Sequence, residues 1–275
     1  MTETLQDLIA ARFAEDTGIG KDRPAEGTHA QQLRHRSRRR YKDKPVPQET
    51  LDILYACALS APAKSDLQQV GIIQFDDMEL RERVTDLIPS MPWIKQAPVF
   101  LLFCADGRRI RKVCELRGTE FAHEPLDAFM NAAADTAIVM MNFIVAAEAE
   151  GLGCCPISAV REKNDEIAAL AKLPEGVFPF AGLCVGHPDD DPWISVRLPM
   201  RLTVHTNTYD DSDLAHEIES YDRRRAEANP ISKQREPERF GTKDNYGWSD
   251  DKARQTANDE RPNFHAFIRR NGFDI

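Results

Sequence analysis

The chain has 275 residues, 41% of them hydrophobic and 29% charged, enough to bury a substantial core in one large domain or two small ones. Its 36 lysines and arginines face 45 aspartates and glutamates, and the resulting formal charge of -9 disfavours a general binder of nucleic acid. No apolar run approaches the roughly 18 residues of a membrane-spanning helix, and residues 1–30 lack the basic start and apolar stretch of a signal peptide, so a cytoplasmic protein with no membrane partner is expected.

In chain order, Leu5, Leu8, Ile9 and Phe13 stand at helical spacing, and the chain then passes through Gly18, Gly20 and the turn-rich stretch 24–27. Residues 1–32 therefore read as an added arm. Residues 33–41 follow with five arginines in nine positions, a local reversal of sign in an acidic chain. Leu51, Leu54, Cys57 and Ala58 predict a helix over 47–61, stopped by Pro62; residues 63–68 are a polar loop, and residues 70–75 read as a strand. A further helix is predicted over 78–88, and the unbroken apolar run 99–104 suits a strand buried on both faces. Residues 125–150, dense in Ala, Met, Ile and Val, form the predicted spine of the core and end at Gly151-Leu152-Gly153. A short extended segment (154–159), a helix near 165–173 and an apolar strand over 177–185 come next. Beyond Pro188 lie a charged stretch, 222–247, and a final segment whose Trp248, Phe264, Phe267, Ile268 and Phe273 offer apolar area for docking on a partner or on the same domain. Helices mixed with three or four strands imply an α+β layered fold.

The six cysteines form no C-x-x-C pair and read as reduced thiols packed as small hydrophobes; the seven histidines have no zinc spacing, so no bound metal is expected. Gly151-x-Gly153 lacks the third glycine of a dinucleotide fingerprint, and no P-loop occurs. A phosphate dianion can instead be held by converging arginines and a hydroxyl, and His35-Arg36-Ser37-x-Arg39 offers that set of forked, charge-assisted donors. Read from spacing alone, the same run is equally a solvated face or a nucleic-acid patch.

Further pieces, taken in order, favour the first reading. His35-Arg36-Ser37-Arg38-Arg39-Arg40-Tyr41, the loop ending in Leu67-Gln68, Phe103-Cys104-Ala105-Asp106, Glu148-Ala149-Glu150-Gly151-Leu152-Gly153 and the run from Phe180 to Pro188 are joined by Arg197-Leu198-Pro199, Trp248-Ser249-Asp250 and Glu260-Arg261-Pro262. Together they make the chain resemble the FMN-dependent nitroreductase superfamily over about residues 33–273, and within it the oxygen-insensitive NADPH nitroreductases and NADPH-flavin oxidoreductases.

The resemblance implies an α+β layered fold with a central mixed β-sheet in an intertwined homodimer. It divides the chain into an arm (1–32), an FMN-binding domain (33–210) and an extension wrapping the dimer (211–275). It implies FMN at the dimer interface, with His35, Arg36, Ser37 and Arg197 on the phosphate and Arg39 near the pyrimidine end of the ring, where a fixed positive charge favours the anionic reduced flavin. Ala63, Lys64, Ser65 and Gln68 match a loop beside the ring that the other subunit supplies. Pro156, Ile157, Ser158 and Ala159 match a segment covering the opposite part of the flavin with backbone N–H groups. Met91 and Ser195 stand where the group often has Gln and Lys, which removes polar contacts to the cofactor, and Lys64 restores a cation in a loop that is usually serine-rich. Trp93 is a candidate substrate platform, against a plain packing role, and Arg161 a candidate phosphate contact at the substrate entrance, against an ordinary exposed helix residue.

The implied activity is that of an NAD(P)H oxidoreductase, with NADPH or NADH as donor. Hydride passes from nicotinamide C4 to flavin N5, and a nitroaromatic, quinone or flavin acceptor then occupies the same slot in a ping-pong sequence. The departures at Met91 and Ser195 raise a second reading, a flavin-dependent dehydrogenase or reductase of one metabolite. The basic run by itself would support a third, a non-enzymatic interaction protein.

Overall fold

The computed structural model describes residues 2–275. Its elements in chain order are α1 (Leu5–Phe13), α2 (Gly27–Arg34), α3 (Gln48–Leu59), β1 (Val70–Gln74), α4 (Met78–Asp86), β2 (Val99–Asp106), α5 (Arg108–Arg117) and α6 (Pro125–Ala149). They continue with β3 (Gly153–Ile157), α7 (Asn164–Leu170), β4 (Val177–Gly186), α8 (Leu214–Ala228), α9 (Pro237–Phe240), α10 (Trp248–Thr256) and α11 (Phe264–Arg270). The chain forms two compact units. The larger comprises Ser37–Pro192 with Arg261–Ile275, and the smaller comprises Trp193–Glu260 with the described residues up to Arg36. The grouping crosses the predicted divisions, because the arm joins residues 193–260 and residues 261–275 return to the larger unit.

In the larger unit the four strands run in the order β1-β2-β4-β3. Every neighbouring pair is antiparallel, which corrects the expectation of a mixed sheet among the described residues. An unbroken apolar strand reads the same in either direction, and only the path of the connections sets its sense. All of β2 is buried, and its two-residue period splits the core. Leu101 and Phe103 face a cluster with Leu54, Phe143 and Val139, whereas Phe100, Leu102 and Cys104 face another with Val84, Ile157 and Ile167. A third cluster gathers Ala105, Phe178, Phe267, Ile268 and Phe273, so the terminal aromatic residues from Phe264 onward are committed to their own chain.

Helix α6 starts with Pro125 in its first turn and a Glu124 side-chain cap on the Asp127 amide (2.8 Å). It is long and apolar enough, by length and composition, to cross a membrane, which corrects the expectation that no apolar stretch reaches that length. One face packs into the core through Ala132, Val139, Phe143 and Ala147, while Leu126, Met130, Ile138 and Met141 remain exposed at helical spacing. Two residues past its end, Gly151 takes a left-handed φ of 74°. Gly153 serves a different need: a Cβ there would lie 2.5 Å from Cγ of Arg38, so only glycine lets residue 38 pack against β3.

In the smaller unit the arm is folded. Helices α1 and α2 bury Leu5, Leu8 and Ala30 against each other with Ala25 and Leu33, and Thr4 and Asp7 close a capping box on α1. Helix α8 enters the stretch expected to be only charged, and it buries Tyr221, whose ring meets Trp248 edge-on at 5.3 Å.

Candidate active site

The basic run begins as α2 ends and is extended thereafter. The Arg38 amide donates to the Cys154 carbonyl (2.9 Å), and Lys42 donates to the His187 carbonyl (2.9 Å), which lays residues 37–42 beside β3 and the end of β4. Neighbouring arginines meet different fates. Arg38 is tied to Asp191 (3.0 Å) and donates to the Asp190 carbonyl, Arg40 faces Asp190 (3.4 Å), and Arg34 pairs with Glu3. Arg39 stays exposed, and among the described residues no acceptor is found for its side chain.

At the C-terminal end of β3 the predicted ligand segment alternates. Ile157 and Ala159 turn into the core, and Pro156 and Ser158 are exposed. For Ile157 and Ala159, backbone groups are therefore what remains to meet a ligand. Met91 and Trp93 are half-buried against the same core cluster, which brings them together with Ile157. Ser158 Oγ accepts from Arg261 (3.2 Å), whose own φ is 61°. Arg161 donates to the Phe180 carbonyl and lies 5.9 Å over that ring, so part of its fork is already engaged. Cys155, read from the sequence as a packed thiol, is buried in the same core cluster. Burial pushes its thiol up, while the nearby Arg39 charge and a hydrogen bond with Ser37 oppose that shift, so the thiol stands beside two predicted cofactor residues.

The loop with Ala63, Lys64, Ser65 and Gln68 lies at the other edge of the sheet, just before β1. Three strand spacings, about 14 Å, separate β1 from β3. One chain therefore does not bring this loop to the β3 end. Ser65, Asp66 and Gln68 all take left-handed φ values of 48°, 58° and 51°. Asp135, a lone buried acid inside apolar α6, holds this conformation by accepting from the amides of Lys64 (2.9 Å) and Gln69 (3.2 Å). Arg109 adds a donor to the Gln68 carbonyl (2.6 Å), Gln68 Nε2 donates to Asp66 (2.9 Å), and Lys64 Nζ reaches Ser65 Oγ (3.3 Å). Beside the loop a cavity of about 570 Å³ opens against β1, with Tyr55, Gln68, Ile72, Asp135 and Val139 in its walls. An acid in the middle of an apolar helix was the sequence signal for Asp135. Nothing in the sequence pointed to Arg109.

In the smaller unit His35 follows α2 directly, and Nε of Arg36 donates to the Arg34 carbonyl (3.1 Å). Ser195 and Arg197 flank the buried Val196, whose carbonyl accepts from Tyr221 Oη (3.0 Å) and Arg225 (3.2 Å). Arg197 is exposed, finds no side-chain acceptor among the described residues, and borders a cavity of about 590 Å³ that Phe13, Arg225 and Trp248 also line. Asp213, His216 and Glu217 lie close enough together to suggest a metal, but Arg201 occupies the Glu217 carboxylate at 2.6 Å.

Comparison with known proteins identifies the family of the chain. The profile described as Nitroreductase family matches residues 33–187, and that of the Nitroreductase family, C-terminal domain, matches residues 195–275. The chain is 41% identical over 197 residues to the FMN reductase [NAD(P)H] of Bacillus subtilis (strain 168), covering 70% of this chain and 79% of that protein. It is 36% identical over 179 residues to the oxygen-insensitive NADPH nitroreductase of Salmonella typhimurium, covering 65% and 73%. Among solved structures, the hypothetical oxidoreductase YcnD from Bacillus subtilis superposes with a TM-score of 0.80 at 34% identity, over 90% of this chain and 97% of that one. The NADPH:FMN oxidoreductase from Vibrio harveyi complexed with NAD+ superposes at 0.77 with 27% identity, over 89% and 97%. With more than half its length matched by the first profile and its fold shared with these structures, the chain belongs to the nitroreductase family.

Proposed function

We propose that the protein is an FMN-dependent NAD(P)H oxidoreductase, acting as a homodimer and serving nitroaromatic, quinone or flavin acceptors in a ping-pong sequence. The observation that carries this reading is the division among the arginines. Arg34, Arg38 and Arg40 are paired with carboxylates, whereas Arg39 and Arg197 present exposed guanidinium groups with no acceptor among the described residues. Uncommitted forked cations suit a phosphate dianion and an electron-rich ring edge. The same pairing breaks up the continuous basic surface that a nucleic-acid partner would need. Relatives named FMN reductase and NADPH nitroreductase support the assignment.

FMN, when bound, supplies the hydride-accepting and hydride-donating chemistry. The chain's part is to hold and orient. His35, Arg36, Ser37 and Arg197 take the phosphate, and Arg39 sets a positive charge against the reduced ring. Residues 156–159 offer backbone N–H groups to the ring edge, a role consistent with the inward side chains of Ile157 and Ala159. Met91 and Ser195 leave their positions less polar than is usual in the family. Trp93 and Arg161 border the substrate slot. The cytoplasm is the proposed setting, where thiols such as Cys104 stay reduced.

The homodimer reading rests on three observations. The loop 63–68 and the β3 end occupy opposite edges of the sheet, so a site using both types of segment needs a second copy. Among the described residues strand β1 has an unpaired outer edge, with a cavity beside it. Exposed Ile53 and Leu59 of α3 join Leu126, Met130, Ile138 and Met141 of α6 as apolar surface suited to a subunit contact.

The test is absorption spectroscopy of the purified protein with FMN, then anaerobic titration with NADPH and NADH and steady-state kinetics. Bleaching of the flavin band by at least one donor and parallel double-reciprocal lines are expected. No flavin uptake, or no bleaching by either nucleotide, refutes the assignment.

A further inference from the structure

The two family profiles begin at residue 33 and resume at 195, yet the two ends of the smaller unit's phosphate-binding set are joined by a residue outside both matches. Arg12, in the last turn of α1, is only 6% exposed. Its Nη1 donates to the Ser195 carbonyl (3.0 Å). Its Nη2 donates to the carbonyls of Leu33 (2.7 Å) and His35. Its own carbonyl accepts from the Arg197 amide (2.8 Å). A single residue thus binds the backbone on both sides of the pair His35-Arg36 and Ser195-Arg197.

Three carbonyls converging on one guanidinium form a charge-assisted cluster, and a planar fork fixes their relative positions more tightly than separate neutral bonds would. Neighbouring bonds hold the arm that carries it. Glu15 pairs with Arg201 (2.9 Å), the Leu5 amide donates to the Arg23 carbonyl (2.8 Å), and Ala25 donates to the Glu3 carbonyl (3.0 Å). The guanidinium of Arg12 is spent on backbone and is not offered to a ligand, whereas that of Arg197 is exposed.

We infer that Arg12 is a positioning residue for the flavin phosphate: by bracing the backbone at His35 and Ser195 it fixes the distance between the arginines on either side, and it makes the N-terminal arm part of the cofactor site. The inference rests on the proposed phosphate role of Arg36 and Arg197. Preorganised donors lose no ordering entropy when the dianion arrives, so removing the brace weakens phosphate binding and spares contacts to the ring.

The experiment compares FMN with riboflavin, which lacks the phosphate, by fluorescence quenching on the full-length chain and its Arg12→Met and Arg12→Lys variants. Arg12→Met is expected to raise the FMN Kd about tenfold or more and the riboflavin Kd less than about twofold, with Arg12→Lys in between. An unchanged FMN Kd, or equal losses for both flavins, overturns the inference. If Arg12→Met does not fold, Arg12→Lys is judged by the same selective loss. Arg197→Ala separates the two ideas. If it leaves the FMN Kd unchanged, the phosphate reading itself fails; if it weakens FMN while the Arg12 variants do not, the role of Arg12 alone falls.

Discussion

Replacing Asp135 by asparagine changes one atom type in a buried position, and its effect can be worked out from the loop that this carboxylate holds. Each oxygen accepts one backbone N–H, from Lys64 and from Gln69, and the residue is 2% exposed. Asparagine keeps one acceptor and turns an NH2 group toward the other amide. One hydrogen bond to a charged group is lost, about 1.5–3 kcal/mol, and a buried donor is left facing a donor, so the local cost is about 2–4 kcal/mol. The loop has little to offset this, because Ser65, Asp66 and Gln68 already sit at positive φ, a conformation that persists only where the surroundings impose it. Hydrogen exchange read by mass spectrometry over residues 60–70 is the assay. Opening of this segment in Asp135→Asn is expected to speed by about 30- to 900-fold, with the peptides of β2 unchanged. Unaltered exchange across 60–70 would refute the claim that Asp135 shapes the loop.

Three further outcomes are expected. Gly153→Ala sets a methyl 2.5 Å from Arg38 Cγ and should destabilise the fold by about 1–3 kcal/mol, lowering Tm by several degrees; an unchanged Tm would show that residue 38 yields without cost. Burial pushes the Cys104 thiol from 9.0 up to about 12, so the stability it contributes is complete below pH 9 and is lost as pH rises toward 12; at about pH 10.5 the loss is about 2 kcal/mol, and denaturant midpoints that do not fall between about pH 8 and 10.5 would contradict this. Ile138→Glu places a charge on the exposed apolar stripe of α6 and should convert the proposed dimer into a folded monomer in sedimentation velocity; an unchanged mass would remove α6 from the interface.

Much of the larger unit could be read from the residues alone. Helices α3, α4 and α6 and strands β1, β2 and β4 fall close to their predicted limits, because proline stops, a glycine terminus and unbroken apolar runs are local signals. Helix α5 was missed: it buries no residue and carries too little apolar pattern to reveal itself. Helices α2 and α8 were missed for a related reason, since each is mostly polar and is identified by a few buried side chains, Ala30 in one and Tyr221 in the other. The charged stretch 222–247 gives no such pattern, and residues 193–260 cluster with the described residues up to Arg36.

The sequence by itself determined which residue types are available for the chemistry: the arginine run, the residues 156–159 and the family to which they belong. The tertiary structure decided which members of those sets are at liberty to act. Arg38 and Arg40 have carboxylate neighbours and Arg39 has none among the described residues, although nothing in their order along the chain distinguishes them. Strand direction, the commitment of Arg12 to three carbonyls and the hold of Asp135 on a loop far away in sequence were likewise decided by packing. The physical reason is range: periodicity and turn chemistry act over a few residues, whereas the partner of a buried charge is chosen by whichever distant backbone the fold brings beside it.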